Sequence, residues 1–167
     1  MGFEFRVEET VKAPPERVFA ALTDVDGWRD WMPGLVRIDR NGSGPLVQGS
    51  VFRETRKMMG HQAVEEFQVT RVEPHRALGL FVDGSKGSSR KGEYHFLHEL
   101  APAGDATRLS LHGRIEVPGV MAKIFGRLMI GMFRKACAKD LSALARHVET
   151  GGKGTSAGAG RPAGAAP

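Results

Sequence analysis

The order of apolar and polar residues predicts a strand followed by two short helices at the start of the chain. Residues 3–12 alternate between the two classes, which is typical of a strand with one buried face. A Pro-Pro pair ends that strand and can start a helix, and residues 16–22 place apolar side chains at helical spacing. Residues 24–32 predict a second short helix, capped by an aspartate and ended by Pro33.

Residues 35–117 predict six more strands and no helix. The candidate strands are separated by segments rich in Gly, Pro, Asn and Asp, which form short turns between antiparallel strands. Because no strand alternates with a helix, the pattern favours a seven-stranded meander over a parallel α/β sheet. The six predicted strands are 35–39, 51–57, 64–72, 77–82, 93–100 and 108–117.

A proline-free run that ends at Glu149 predicts the longest element, a helix of about 45 Å at 1.5 Å per residue. In its first half, four apolar side chains share one side, which we expect to face inward: Met121, Phe125, Leu128 and Met132. In its second half the apolar stripe moves to Phe133, Cys137, Leu141, Leu144 and Val148. This shift predicts a bend, or a change of neighbours, near Gly131.

Length and composition indicate one globular domain over residues 1–150. The chain has 167 residues, of which 41% are hydrophobic and 26% charged, close to the averages for soluble domains. Residues 151–167 are rich in Gly and Ala and predict a flexible tail. A single cysteine, Cys137, excludes an internal disulfide framework, and the chain starts without a signal-peptide pattern. A cytoplasmic location is therefore expected.

The formal net charge of +5 raises the question of acidic partners. The basic side of the long helix, with Lys123, Arg127 and Arg134, is compatible with contact to anionic lipid, although a solvated helix face explains these charges more simply. No basic and aromatic motif indicates nucleic-acid binding. The six histidines lack the spacing of metal ligands, so neither a metal nor a cofactor is expected. The sequence leaves the oligomeric state open.

The element order and several short motifs resemble the START-like superfamily, often called SRPBCC, which includes polyketide cyclase/dehydrase-like proteins and the birch pollen allergen family. The resemblance covers about residues 3–149, and its motifs lie at 13–19 (APPERVF), 24–31, 72–78 (VEPHRAL), 100–102 with 107–109, and 139–141. It implies an α+β helix-grip fold, in which a curved seven-stranded antiparallel sheet surrounds the long C-terminal helix. It also implies an elongated cavity between the sheet and that helix, opening near the two short helices.

Alternation on strand 93–100 places Tyr94, Phe96 and His98 on one face, which we expect to be the inner one. Tyr94 and His98 would then be polar groups on an apolar wall, suited to orienting a ligand or to acid–base chemistry. The alternative is that both side chains only pack in the core, with their hydrogen bonds satisfied within the protein. Glu9 is a further candidate, since it lies on the apolar side of the first strand, unless a bulge or the strand end turns it outward.

Trp28, Trp31 and Met32 are expected at the mouth of the implied cavity, or else as a seal at the end of the core. The first functional hypothesis is a protein that binds a hydrophobic small molecule: a lipid, a polyketide-like compound or an aromatic compound. The alternative is a cyclase, dehydratase or hydrolase that acts on such a ligand through His98 and Tyr94. The predicted ligand-binding residues are Trp28, Trp31, Met32, Tyr94, Phe96, His98, Met121, Phe125, Leu128 and Met132.

Overall fold

The computed structural model of the protein describes residues 2–58, 60–119 and 121–152, without the side chains of residues 121–125. Its strands are β1 (Gly2–Val11), β2 (Leu35–Arg40), β3 (Val51–Met58), β4 (His61–Glu73), β5 (Ala77–Asp83), β6 (Glu93–Ala103) and β7 (Ala106–Glu116). Its α-helices are α1 (Pro15–Thr23) and α2 (Met121–Glu149), and two short 3₁₀ helices span Val25–Asp30 and Gly84–Lys86. The predicted tail lies outside the described residues from residue 153 onward.

The seven strands form one antiparallel sheet in the order β1-β7-β6-β5-β4-β3-β2. Strands β2 to β7 are a meander in which each strand pairs with the next, as the turn pattern predicts. The prediction that all seven strands form one meander is wrong for the first strand, because α1 and the first 3₁₀ helix follow it and carry the chain away. It pairs instead with β7, so β1 and β2 are the two edges of the sheet. This arrangement confirms the predicted helix-grip fold.

Helix α2 crosses the inner face of the sheet and is fixed to β1 and α1 near its C-terminal end. The Glu9 carboxylate of β1 accepts a hydrogen bond of 2.6 Å from the Ser142 hydroxyl. The Arg17 guanidinium of α1 donates to the Val148 carbonyl over 2.6 Å. Among the helices of the described part of the chain, none is both long and apolar enough to cross a membrane.

In the first half of α2, the prediction that four apolar side chains face inward is wrong for the two whose side chains the structure describes. The side chain of Leu128 is 75% exposed and that of Met132 is 40% exposed. The later stripe that includes Cys137, Leu141 and Leu144 is buried against the sheet instead. The buried stripe continues toward the N-terminus through Phe133 and Ile130, which pack on the core, and Gly126, which lies against the Phe3 ring, so the side with Leu128 and Met132 faces away from the sheet. The side chains of Met121 and Phe125 lie outside the described residues.

The second predicted helix is a 3₁₀ helix that ends sooner than the sequence suggests, with Trp31 at its C-terminal cap. Its start agrees with the prediction, because the Asp24 carboxylate accepts a hydrogen bond of 3.2 Å from the backbone N–H of Gly27. The Trp28 indole N–H donates to the Leu22 carbonyl over 3.1 Å, which ties this segment to α1.

Gly113 on β7 leaves room for an aromatic ring on the neighbouring strand. It pairs directly with Phe5 of β1, and a Cβ atom at position 113 would lie 2.2 Å from the Phe5 ring. Phe5 is buried in the core, so its ring has little freedom to move aside. The glycine is therefore required for the close packing of β1 on β7.

We expect Gly113→Ala to lower the free energy of unfolding by roughly 1–3 kcal/mol, because the added methyl group overpacks the core. Gly131→Ala is a matched control, since this exposed glycine within α2 has open space around it. The control should raise the free energy of unfolding by up to about 1 kcal/mol through helix propensity. Urea denaturation followed by circular dichroism measures both, and equal effects of the two substitutions would contradict the packing argument.

Candidate ligand-binding cavity

A cavity of about 160 Å³ lies between α2 and the inner faces of β3 to β7. Its wall is mostly apolar and rich in aromatic rings, with a smaller group of polar side chains. The aromatic lining residues are Trp28, Trp31, Phe67, Tyr94, Phe96 and Phe133. The polar or ionisable ones are Glu54, Arg56, Glu65, Ser89, His98, Cys137 and Asp140. A largely apolar space with a few convergent polar groups is typical of small-molecule sites.

The two ends of the cavity differ in their access to solvent. Trp28 is only 3% exposed and packs edge-on against Phe52 with ring centres 5.5 Å apart, so it seals the end near α1. Ser89 is exposed and also lines the cavity, in the loop that precedes β6. The cavity therefore reaches the surface beside this loop, next to the β3–β4 hairpin.

The structure brings six of the ten predicted ligand-binding residues to this one cavity: Trp28, Trp31, Met32, Tyr94, Phe96 and His98. The alternation of β6 thus predicted the correct inner face. Leu128 and Met132, which are exposed on α2, are not among the lining residues. Ligand binding by any of these residues stays a prediction.

Glu9 lies on the inner face of β1, half-buried under α2, where it accepts the hydrogen bond from Ser142. It does not line the cavity. The carboxylate therefore contributes to the docking of α2, and it is not placed to meet a ligand in this space.

Tyr94 and His98 both border the cavity, but their polar atoms differ in whether a hydrogen-bond partner is present. The Tyr94 hydroxyl donates a weak hydrogen bond of 3.3 Å to the Lys91 carbonyl, which leaves its ring as the surface that faces the cavity. The Nδ1 atom of His98 is buried and has no hydrogen-bond partner among the described residues. Burial lowers the pKa of His98 to about 4, so its ring is neutral near pH 7.

Arg56 of β3 and Asp140 of α2 form an ion pair across the cavity wall. The Arg56 Nη1 donates to Asp140 Oδ2 over 2.8 Å, and Nη2 bonds the other carboxylate oxygen, so the contact is bidentate. The Arg56 Nε also donates to the Pro33 carbonyl over 3.0 Å. Both side chains are less than one fifth exposed. The guanidinium is thus held in one orientation and its charge is matched by Asp140.

Glu54 is a buried carboxyl group whose charge is not matched in this way. It is 8% exposed, lines the cavity on β3, and makes no hydrogen bond to the other described residues. Burial raises the pKa of Glu54 to about 7; the charges of Asp140 and Glu65 act in the same direction, while Arg56 opposes them. Both protonation states of Glu54 are therefore populated near neutral pH.

Glu65 of β4 stands directly opposite Glu54 in the sheet. Its Oε1 accepts hydrogen bonds of 2.8 Å from the Ser89 backbone N–H and 2.7 Å from the Ser89 hydroxyl. Its Oε2 is buried without a partner among the described residues. Two carboxyl groups thus face each other on the inner surface, an arrangement that costs stability when both are ionised.

The sequence reasoning missed the acidic group Glu54, Glu65 and Asp140 and its partner Arg56. A signal for two of them was present, since Glu54 and Arg56 alternate with the buried Phe52 and must share its face. Arg53, which lies between them on the same strand, points to the opposite face, where it pairs with Glu66 at 3.3 Å. Asp140 lies between Cys137 and Leu144 on the buried stripe of α2, and an acid on an apolar stripe is a second usable signal.

The fold and the cavity together define a helix-grip protein with an internal binding space. Residues 2–149 match the family model described as polyketide cyclase / dehydrase and lipid transport. The chain therefore belongs to this family. A comparison with curated protein sequences gives no significant match.

Solved structures of low sequence identity share the fold. An aromatase/cyclase (ZhuI) from a Streptomyces species is 16% identical, with a TM-score of 0.74, and the match covers 89% of this chain and 94% of that one. The allergen Ara h 8.0201 is 17% identical with a TM-score of 0.71, covering 90% and 99% of the two chains. A conserved protein from Geobacillus kaustophilus is 17% identical with a TM-score of 0.71, covering 89% and 96%.

The raised pKa of Glu54 makes folding stability depend on pH in a defined direction. The unfolded carboxyl has a pKa of 4.5 and the folded one about 7, so between these values the folded state binds the extra proton. Stability is then lost as pH rises from about 4.5 to about 7 and is constant above that. The full effect is up to roughly 3 kcal/mol at 1.36 kcal/mol per pKa unit.

We expect Glu54→Gln to raise the free energy of unfolding at pH 8 and to change it little at pH 4.5. Chemical denaturation at both pH values measures the difference. Glu66→Gln, on the outer face of β4, is the control and should show no comparable gain. A Glu54→Gln variant that is no more stable than the parent at pH 8 would show that the carboxyl is not desolvated as described.

Proposed function

We propose that this protein binds a hydrophobic small molecule in the cavity between α2 and the sheet. The observation that carries the proposal is an apolar, aromatic-walled cavity that reaches the surface at Ser89 and is lined by polar groups with no partner among the described residues. Membership of a family described by polyketide chemistry and lipid transport supports it. So does the fold shared with an aromatase/cyclase.

The size of the cavity limits the ligand. An apolar cavity of about 150 Å³ is enough to admit a benzene-sized molecule. The cavity of about 160 Å³ therefore suits a compact aromatic group, or the end of a longer chain whose remainder passes the opening near Ser89. This supports an aromatic compound, or part of a lipid or polyketide-like molecule, as the ligand.

The second candidate function is catalysis on such a ligand, and the unpartnered Nδ1 atom of His98 favours it. A neutral imidazole on the cavity wall can accept a hydrogen bond from a bound molecule and so orient it. The Tyr94 hydroxyl is directed to Lys91 and is the weaker candidate for an acid. If the ligand that copurifies with the protein is converted by it, His98→Asn should abolish conversion while binding persists. Unchanged conversion would rule out a role for His98.

A cavity-filling substitution tests the binding function directly. Ala136 of α2 lines the cavity, whereas Ala138 is exposed two residues further along the helix. We expect Ala136→Leu to weaken binding of benzyl alcohol, a small neutral aromatic probe, by about tenfold or more because the new side chain occupies the ligand's space. The melting temperature of the Ala136→Leu variant should stay the same or rise, since filling a cavity stabilises a fold.

Ala138→Leu is the matched control and should leave both affinity and melting temperature unchanged. Ligand-observed NMR gives the affinities, and calorimetry gives the melting temperatures. Equal affinity of the two leucine variants for the probe, or no binding of the probe to the parent protein, would contradict binding in this cavity.

A further inference from the structure

The Glu54 carboxyl group is buried beside the cavity. It is more than nine-tenths buried, it faces the cavity, and none of the described side chains donates a hydrogen bond to it. A buried carboxylate is costly unless it is paired or hydrogen-bonded. The cavity next to it is the space from which such a partner can come.

The charged and titratable groups around Glu54 leave an excess of negative charge. Arg56, on the same strand, is engaged by Asp140 of α2 in the bidentate ion pair. Glu65 faces it from β4 with one unpartnered oxygen. From α2 the Cys137 thiol has its pKa raised by burial to about 12, and from β6 His98 has its pKa lowered by burial to about 4, so both are neutral near pH 7. Three carboxyl groups thus share one guanidinium among the described lining residues.

Aromatic rings surround these carboxyl groups. Trp31, Phe67 and Tyr94 line the same cavity. The faces of such rings attract cations, and sites for organic ammonium ions combine aromatic walls with little competing positive charge. An anionic ligand would meet the opposite conditions, because its charge would add to that of Glu54 and Glu65.

We propose that the preferred ligand is a hydrophobic amine, whose ammonium group binds at Glu54 while its apolar body contacts the aromatic wall. The ammonium donates to the Glu54 carboxylate and offsets the negative charge of Glu54 and of the neighbouring Glu65. This inference rests on the proposed function of the cavity and adds the chemical class of its ligand. Binding of the cation favours ionised Glu54, so below pH 7 each binding event releases a proton from that carboxyl.

Three probes of similar size separate the ligand classes: benzylamine, benzyl alcohol and benzoate. At pH 8 we expect benzylamine to bind about tenfold or more tightly than benzyl alcohol, as for a charge-assisted hydrogen bond, and benzoate to bind most weakly. The preference for benzylamine should shrink at pH 5.5, where Glu54 is protonated. Ligand-observed NMR titration measures all three affinities at both pH values.

Glu54→Gln should remove most of the preference for benzylamine while it keeps the affinity for benzyl alcohol. Glu66→Gln, a neighbouring carboxylate on the outer face, should leave both unchanged. Benzyl alcohol binding as tightly as benzylamine, or a preference for benzylamine that survives Glu54→Gln, would overturn the amine inference and leave the binding function intact. If benzyl alcohol binds more tightly at pH 5.5 than at pH 8, the protonated Glu54 carboxyl instead donates a hydrogen bond to the neutral oxygen of the ligand. If none of the three probes binds, both proposals fail.

Discussion

The ion pair between Arg56 and Asp140 joins β3 to α2 across the space that separates them. On the other side, α2 rests on β1, where Ser142 bonds Glu9. With increasing distance from β1 the sheet curves away from α2, and the cavity occupies the space between them. Removing one partner of a buried ion pair lowers the free energy of unfolding by about 3–5 kcal/mol, because the other charge is left unmatched. The distance between helix and sheet, and with it the shape of the cavity, depends on this contact.

The same ion pair explains why the remaining acids matter. Since Asp140 matches Arg56, no described residue forms an ion pair with Glu54, and burial raises its pKa to about 7. Natural proteins keep such destabilising groups where they serve a site, because stability and function are selected together. The outer face of the same strands shows the contrast, since Arg53 and Glu66 pair there at the surface. Glu54, on the inner face of the same strand, lines the cavity instead.

The strands and their inner faces were largely predictable from sequence, because a period of two residues identifies which side is buried. Phe96 and His98 on β6 illustrate this. The docking face of α2 was not predictable in its first half, because the helix carries two apolar stripes and the sequence does not say which one meets the sheet. The partner of Arg56 was equally hidden, since Asp140 is 84 residues away along the chain. Contacts at that separation depend on how helix and sheet are registered, which local patterns do not encode.

Both tryptophans of the chain border the cavity, at Trp28 and Trp31. Their rings lie 6.2 Å apart in an edge-to-face arrangement, one sealed in the core and the other half-buried. The tryptophan fluorescence of the folded protein therefore originates entirely from the wall of this space. The unlabelled protein carries its own optical reporter of cavity polarity, and its spectrum contains no background from indoles elsewhere in the molecule.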